Sequence, residues 1–246
     1  MQPEETRTNR PEILDRFGGI ARLYGLRALD SFQRARVAVI GIGGVGSWAA
    51  EALVRSGIGA ITIIDMDDIC ISNINRQIHT LTSTVGQQKV DVMRERLLQI
   101  NPDCRVDGRS LFLTARNVAV ELAGIDYVID AIDSVPHKCA LIHHCHRQRI
   151  RVVTAGAAGG QTDPTQIQCA DLSRTFHDPL LAKVRKTLRQ HYGFPDNPQR
   201  RFGIEAVFSA EQAVIPPAAE LFCEALTPLQ AADSEGPDLG SPNPSR

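Results

Sequence analysis

The sequence predicts an α/β protein in which helices cover both faces of a doubly wound, mostly parallel, Rossmann-like sheet. Three observations lead to this prediction. Short apolar runs rich in valine and isoleucine alternate with segments whose apolar residues recur at helical intervals. A glycine-rich turn directly follows the first apolar run and precedes a helical pattern. Polar residues stand just after several of the apolar runs, where parallel sheets bind their ligands.

The N-terminal half alternates regularly between helical and strand patterns. Residues 1–15 are mostly polar and are expected to form a flexible lead-in, while the apolar spacing over residues 16–32 predicts one or two short helices. The segments that follow are predicted, in order, as strand 37–40, helix 47–56, strand 60–64, helix 85–100, strand 106–112 and helix 115–122.

The C-terminal half begins with the same alternation and then weakens. It predicts strand 127–132, a helix over 136–148 with a proline in its first turn, and strand 152–154. A smaller strand and helix extension follows, with strand 167–172, a basic helix over 180–192 and strand 202–209. Residues 16–215 are therefore expected to form one domain. Residues 216–246 are rich in proline, alanine, serine and glycine, and predict a disordered tail.

Composition narrows the function classes. The chain has 246 residues, 43% of them apolar, and a net charge of -1, so a nucleic-acid surface must be a local patch and we expect no DNA partner. Its six cysteines show no Cys-x-x-Cys spacing and are expected to be reduced thiols. The N-terminus lacks an apolar signal region, and no apolar run approaches the roughly 20 residues that cross a bilayer. We therefore expect a cytoplasmic protein without a membrane span.

The glycine-rich turn is the first candidate binding element. It reads Gly41-x-Gly43-Gly44-x-Gly46 and is followed by Ser47 at the start of the predicted helix. Glycines let backbone N–H groups approach a phosphate at the positive end of a helix. A tight turn without a ligand is the alternative, and the strand–turn–helix–strand context makes it less favoured.

A carboxylate follows at the end of the second predicted strand. Asp65 lies roughly 20 residues beyond the glycines, where an acidic side chain commonly accepts hydrogen bonds from ribose hydroxyls. Asp67 stands two residues further on. Because both NAD and ATP carry such a ribose, Asp65 does not choose between them.

Polar and basic residues further along favour a triphosphate. Asn73, Arg76 and Gln77 form one group, and Lys89 follows them. Attack on the α-phosphate of ATP builds charge on the departing oxygens, which fixed cations stabilise. Arginine offers a bidentate fork and lysine a point charge. The alternative is that Arg76 and Lys89 are solvated surface charges.

The end of the fourth predicted strand carries a second acidic pair. Asp133, three residues after Asp130, could hold Mg²⁺ against phosphates, because this ion is typically bound by one or two carboxylates plus phosphate oxygens. Alternatively, Asp133 caps the following helix, a role that Ser134 could also fill.

Three other features of the sequence bear on possible metal binding, RNA binding and the core. Cys139, His143 and His146 share one helical face but lack a fourth zinc ligand at a persuasive spacing, so ordinary helix residues are favoured. The segment 171–201 contains seven basic residues against three acidic ones, with interleaved aromatic residues, which suits either an RNA surface or a solvated helix. Trp48 is expected in the core.

The ordered motifs resemble those of the ubiquitin-activating-enzyme superfamily, which includes the molybdopterin- and thiamine-pathway adenylyltransferases. The shared pattern spans about residues 16–160. It consists of Gly41-x-Gly43-Gly44-x-Gly46, Asp65-x-Asp67, Ser72-Asn73-x-x-Arg76-Gln77, Val85-Gly86-x-x-Lys89 and Asp130-x-x-Asp133. Within the superfamily the chain is similar to the tRNA threonylcarbamoyladenosine dehydratase branch, through Arg16-Phe-Gly-Gly, Ile40 to Ala52, Asp130 to Ser134 and Gly159 to Gln168.

The resemblance implies an ATP- and Mg²⁺-dependent, ligase-type adenylating domain over residues 16–215. By this pattern Asp65 would bind the ribose, Asn73, Arg76 and Lys89 the phosphates, and Asp133 the metal. Arg22 would reach the ATP of a partner subunit, which implies a homodimer. We accordingly expect Arg22, Arg76, Lys89 and Asp133 to be catalytic. The expected nucleotide-binding residues are Gly41, Gly43, Gly44, Gly46, Ser47, Asp65, Asp67, Asn73, Arg76, Gln77, Lys89, Asp133 and Ser134.

The activity implied by the resemblance is the cyclising dehydration of threonylcarbamoyladenosine beside the tRNA anticodon. Its partners would be the modified tRNA, a second copy of the chain and a sulfur-relay protein. The main alternative is an adenylyltransferase that activates the C-terminus of a ubiquitin-like or sulfur-carrier protein. A third hypothesis, an NAD-dependent oxidoreductase, is supported only by the glycines and Asp65. A fourth hypothesis is a non-enzymatic nucleotide-binding scaffold.

Overall fold

The computed structural model describes residues 11–197 and 199–213, and these residues share one seven-stranded sheet. The spatial order of the strands is β3-β2-β1-β4-β5-β7-β6. All neighbouring pairs are parallel except β6 with β7. The strands are β1 (Arg36–Ile40), β2 (Ala60–Ile64), β3 (Arg105–Arg109), β4 (Tyr127–Asp130), β5 (Arg151–Ala155), β6 (Ile167–Asp171) and β7 (Glu205–Ser209). The predicted fold class is confirmed.

Seven α-helices accompany this sheet in the described part of the chain. They are α1 (Pro11–Tyr24), α2 (Leu26–Arg34), α3 (Gly46–Arg55), α4 (Lys89–Ile100), α5 (Val118–Glu121), α6 (Val135–Gln148) and α7 (Pro179–Tyr192). Of the one or two short helices predicted over residues 16–32, the structure has two, with Gly25 at a φ of 89° between them. Within the described residues, no helix is long and apolar enough to cross a membrane.

The apolar runs become central strands because both of their faces are covered. Along β1, Ala38 and Ile40 pack into a cluster with side chains of α5, α6 and α7. Val39 points the other way, into a cluster with side chains of α3 and α4. Strands buried on both faces are nearly continuous in apolar residues, as the sequence of β1 is.

Several boundaries differ from the prediction. Helix α1 begins at Pro11, so residues 11–15, which were expected in the lead-in, are helical. Helix α4 begins at Lys89, because residues 85–88 form a turn in which Gly86 has a φ of 85° and donates to the Ile69 carbonyl. Strand β4 ends at Asp130. The Ile132 N–H donates to the Asp130 carboxylate and is therefore not available for pairing with a neighbouring strand. The expected tail and residues 1–10 lie outside the described residues.

The topology creates a crevice between β1 and β4. These strands are neighbours in the sheet, yet β1 leads into α3 on one face and β4 leads into α6 on the other. Ligands of such sheets bind beyond the carboxyl ends of the strands, at this reversal of strand order. The loops after β1, β2, β4 and β5 all open at that edge.

Candidate nucleotide-binding site

A cleft of about 1000 Å³ lies at this edge of the sheet. It is lined by residues of the loops that follow β1, β3, β4 and β5 and of the segment between β2 and α4. The predicted site residues that line it are Gly41, Gly43, Gly44, Asp65, Asp67, Asn73, Arg76, Gln77, Lys89, Asp133 and Ser134. The structure therefore brings together eleven of the side chains and glycines that the sequence assigned to one site.

The glycine turn is packed too tightly for side chains at two positions. Gly41 has a φ of 80°, and a Cβ there would lie 2.9 Å from the Ala131 carbonyl oxygen. A Cβ on Gly46 would lie 1.8 Å from the Gly41 carbonyl oxygen. Ser47 is buried, and its hydroxyl donates to the Gly43 carbonyl at 2.6 Å. Gly46 and Ser47 do not line the cleft; they shape the turn from behind.

Asp65 ties the glycine turn to the second strand. Its Oδ2 accepts the Ile42 N–H at 2.8 Å, and its Oδ1 accepts the Asp67 N–H at 3.0 Å. Each carboxylate oxygen has a further lone pair that a ribose hydroxyl could use. The carboxylate thus serves the turn and lines the cleft at the same time.

The two expected phosphate cations are held very differently. Lys89 is 5% exposed, and its Nζ lies 2.8 Å from Asp67 Oδ2 and 3.9 Å from Asp65 Oδ1. Arg76 is exposed, and its Nη1 donates to the Ser72 carbonyl and to Asn75 Oδ1. No described acidic side chain pairs with Arg76, so its guanidinium keeps free donors at the cleft.

The loop that carries Arg76 is anchored by its neighbours. Trp48 donates its Nε1–H to the Arg76 carbonyl at 3.0 Å, and Asn73 Oδ1 accepts the Cys70 N–H at 3.2 Å. The expectation that Trp48 is a core residue is wrong: the residue is 54% exposed, because its side chain lies at the surface against this loop. Gln77 is buried, and its Oε1 has no hydrogen-bond partner in the described part of the chain.

Asp133 stands free in the loop between β4 and α6. The residue at the N-cap position of α6 is Ser134, whose side chain forms no capping bond, so the capping alternative for Asp133 is wrong. No described residue forms a hydrogen bond or ion pair with the Asp133 carboxylate, and the residue is exposed. A single uncommitted carboxylate beside the predicted phosphate site fits the donor set of Mg²⁺.

Some functional features gave no clear sequence signal. Lys138 and Asp130 form a fully buried ion pair under the cleft, with 3.1 Å between Nζ and Oδ2. His79 is 1% exposed, and neither ring nitrogen has a hydrogen-bond partner among the described residues. The only sequence signal for this ion pair in α6 is a lysine at a position that faces the interior. The Asp178 carboxylate, which binds the Ala157 N–H at 2.8 Å, also holds the loop after β5.

Arg22 does not belong to this cleft within one chain. It is exposed on α1 and does not line the cleft. The residues that follow it are exposed and apolar: Leu23 is 71%, Tyr24 60% and Leu26 57% exposed.

The basic segment 171–201 provides charge, and of its aromatic residues Phe176 is 44% exposed. Phe194 and Phe202 are buried, and the Arg189 guanidinium lies 5.1 Å from the centre of the Phe202 ring. Phe194 and Phe202 therefore serve mainly the core. The exposed basic side chains of the segment are Arg174, Lys183, Lys186, Arg200 and Arg201.

The histidines of α6 pack as ordinary helix residues. The His143 ring lies 4.9 Å from that of Tyr192, and the His146 ring lies 4.9 Å from that of Phe194. Cys139 is buried, and burial raises the pKa of its thiol to about 11. Within the described residues, no three His, Cys, Asp or Glu side chains are grouped so as to hold a metal ion.

Fold and site together define an α/β protein with an ATP-type nucleotide cleft, of the adenylating class. Residues 19–205 match the model of the ThiF family. The chain belongs to the ThiF family, and the superfamily resemblance inferred from the motifs is confirmed.

Relatives of high identity share one name. The chain is 54% identical to the tRNA threonylcarbamoyladenosine dehydratase of Escherichia coli (strain K12), over 90% of this chain and 81% of that protein. It is 56% identical to the Haemophilus influenzae protein of the same name, over 82% of this chain and 77% of that one. A molybdopterin-synthase adenylyltransferase from Escherichia coli is 30% identical over 67% of this chain and 69% of that protein.

Solved structures agree with the fold. The Escherichia coli dehydratase in complex with AMP is 55% identical, with a TM-score of 0.82 over 85% of each chain. The same protein in complex with ATP is 50% identical, with a TM-score of 0.82 over 92% of this chain and 99% of that chain.

Proposed function

We propose that this enzyme catalyses the ATP-dependent, cyclising dehydration of threonylcarbamoyladenosine next to the tRNA anticodon, through adenylation of the substrate carboxylate. The observation that carries the proposal is the exposed Arg76 guanidinium, which has no described acidic partner and stands in the cleft beside the glycine turn. The identity to two proteins named for this activity supports the choice of substrate.

The reaction divides into two transfers. The threonyl carboxylate of the substrate attacks the α-phosphorus of ATP in line, pyrophosphate leaves, and an acyl-adenylate forms. A carbamoyl atom of the same substrate then attacks the activated carbonyl and loses its proton, and AMP leaves with the former carboxylate oxygen. The net change is the loss of one water from the nucleoside. Because the second nucleophile is tethered, ring closure benefits from a high effective concentration.

The described residues suit the first transfer. The N–H groups of the glycine turn and the guanidinium of Arg76 would stabilise charge on the phosphates, while Asp65 would orient the ribose. Lys89 would contribute by moving from Asp67 toward the phosphates, since its Nζ is held by Asp67 at 2.8 Å. Asn73 and Gln77 would add neutral donors, and no protein nucleophile is needed.

Asp133 is the residue that would hold Mg²⁺. The ion would neutralise charge on the departing pyrophosphate when bound. The fit rests on the exposed, uncommitted carboxylate at the cleft and on the chemistry of Mg²⁺, which prefers oxygen ligands.

A homodimer belongs to the same proposal. Arg22 is outside the cleft of its own chain, and the exposed apolar residues beside it would suit an interface between subunits. The exposed basic residues of segment 171–201 would contact the tRNA backbone. A cytoplasmic location fits a tRNA-modifying role, and a sulfur-relay protein stays a prediction without structural support.

The decisive experiment incubates the protein with ATP, Mg²⁺ and tRNA that carries threonylcarbamoyladenosine. The tRNA is then digested to nucleosides, whose masses are measured by mass spectrometry, and AMP and pyrophosphate are quantified. We expect one water to be lost for each AMP formed. AMP formation only in the presence of a ubiquitin-like or sulfur-carrier protein would instead support the adenylyltransferase alternative.

In the same assay, Arg76→Ala tests the phosphate role. We expect turnover to fall on the order of a hundredfold or more, because a fixed donor to the developing charge is lost. The matched control is Arg94→Ala, which removes an exposed arginine of α4 that does not line the cleft. Full turnover by Arg76→Ala would refute the assignment.

A further inference from the structure

The buried ion pair under the cleft is unexpected in its position. Asp130 is the last residue of β4 and Lys138 lies in the second turn of α6, and both side chains are completely buried. They bracket the loop of residues 131–134, which lines the cleft and contains Asp133. Neither Asp130 nor Lys138 lines the cleft, so neither can touch a nucleotide directly.

The hydrogen bonds of this pair hold the backbone of Ile132. Lys138 Nζ donates to the Ile132 carbonyl at 2.9 Å and to the Asp130 carbonyl at 3.5 Å. Asp130 Oδ1 accepts the Ile132 N–H at 3.1 Å. The backbone of Ile132 is therefore held on both its donor and its acceptor, immediately before Asp133.

The pair also reaches the next strand. The Thr154 hydroxyl donates to Asp130 Oδ2 at 2.7 Å. Thr154 is completely buried in β5, just before the loop of residues 156–159, which also lines the cleft. Asp130, Lys138 and Thr154, which we call the buried triad, thus connect the neighbouring strands β4 and β5, and the cleft-lining loops that follow them, through one network whose donors and acceptors are satisfied.

Stability alone does not account for this arrangement. Burying two opposite charges has a large desolvation cost, and well-packed apolar residues of similar volume often give equal or greater stability. A buried polar network that is fully satisfied does, however, impose one geometry on the groups it binds. The restrained group here is the backbone of the loop, because the Asp133 carboxylate itself has no described hydrogen-bond or ion-pair partner.

We propose that the buried triad consists of positioning residues, which fix the 131–134 loop so that the Asp133 carboxylate points into the phosphate region. This inference rests on the role proposed for Asp133. Catalysis tolerates little error in such placement, since a displacement of about 1 Å can reduce rates on the order of a hundredfold.

The test replaces the whole triad by apolar residues, as Asp130→Val/Thr154→Val/Lys138→Met. No unpaired charge is left behind, so we expect the unfolding midpoint to stay close to that of the unaltered protein. ATP affinity measured by calorimetry in the presence of Mg²⁺ should fall about tenfold, and turnover on the order of a hundredfold. ATP affinity without Mg²⁺ should change little.

A double-mutant cycle with Asp133→Ala separates positioning from a merely structural role. In the Asp133→Ala background, the triad replacement should cost less than about threefold in Mg²⁺-dependent ATP affinity, because the residue on which it acts is already gone. Equal losses in both backgrounds would overturn the inference. If the triple variant does not fold, the single change Thr154→Val, which keeps the ion pair, is taken through the same cycle with the same criterion.

The cycle also keeps the two proposals apart. Unchanged ATP binding and turnover in Asp133→Ala would remove the role proposed for Asp133. An impaired Asp133→Ala variant together with a triad variant that matches the unaltered protein would remove only the positioning role.

Discussion

At the scale of single residues, the two cations of the phosphate region show what a sequence can and cannot predict. The spacing of Arg76 and Lys89 behind a glycine turn indicated that both belong to one site, and both line the cleft. Their partners could not be predicted, because the bond between Lys89 and Asp67 depends on how the turn before α4 folds back. The free cation of the described site is therefore Arg76.

For Asp133 and Trp48 too, the sequence predicted the position in the chain but not the contacts of the side chain. The carboxylate of Asp133 could be placed at the end of a strand, but only the observed start of α6 excluded its capping role. Trp48 was assigned to the core because tryptophan is apolar. The sequence did not show that its N–H would bind the Arg76 carbonyl and hold the ring at the surface.

His79 leads to a prediction about acid sensitivity. Burial, reinforced by the charges of Lys89 and Arg96, lowers the pKa of His79 from 6.5 to about 4. Below pH 6.5 the unfolded chain binds a proton that the folded protein still excludes. The free energy of unfolding should therefore decrease as the pH falls from about 6.5 toward about 4, by at most about 1.4 kcal/mol per pH unit.

The measurement is urea unfolding of the unaltered protein and His79→Leu at pH 7 and pH 5. We expect a smaller loss of unfolding free energy between the two values in the variant, because its unfolded chain binds one proton fewer. His191→Leu, at an exposed position of α7, is the matched control. An identical pH dependence for His79→Leu and the unaltered protein would contradict the prediction.

At the scale of elements, the sequence predicted every strand of the sheet and misjudged mainly where elements end. Periodicity identifies an element by its interior, whereas its end depends on competing hydrogen bonds. The Ile132 N–H binds the Asp130 side chain, and Gly86 turns the chain before α4, so β4 is shorter and α4 begins later than expected. The glycine turn lies where the sequence predicts it, and close packing requires glycine at two of its positions, Gly41 and Gly46.

That packing makes Gly46 a test of the turn. Gly46→Ala would place a Cβ 1.8 Å from the Gly41 carbonyl oxygen, so the turn must shift. We expect a loss of about 1–3 kcal/mol in the free energy of unfolding, as for overpacked sites, and at least a tenfold loss of ATP affinity.

Thermal unfolding with and without ATP measures both effects. The matched control is Gly19→Ala, since a Cβ on Gly19 meets nothing within 4 Å. A Gly46→Ala protein with unaltered ATP-induced stabilisation would show that the turn does not bind the nucleotide.

At the scale of the whole molecule, Arg22 lies apart from the cleft that it is predicted to serve. Sequence motifs suggested that this residue acts on the ATP of a partner, and the residue does lie outside the cleft of its own chain. The relative arrangement of two copies depends on which surfaces contact each other. Sequence patterns do not indicate those contacts, so the arrangement could not be predicted.

Subunit mixing tests this arrangement. Arg22→Ala and Arg76→Ala are each expected to be nearly inactive. After unfolding and refolding together in equal amounts, heterodimers should contain one site with both arginines, and about a quarter of the unaltered activity should return. The tRNA dehydration assay measures the recovery, and refolded single variants are the controls. No recovery would mean that Arg22 does not act across an interface.

The strand order determines when the nucleotide cleft can form during synthesis of the chain. Strand β1 lies between β2 and β4, and the cleft combines loops that follow β1, β2, β4 and β5. A nascent chain that has emerged from the ribosome only as far as β3 would carry the glycine turn and Asp65 but lack the opposite wall. Nucleotide can therefore stabilise only a chain that has been synthesised beyond the loop after β5, and it does not stabilise earlier folding intermediates.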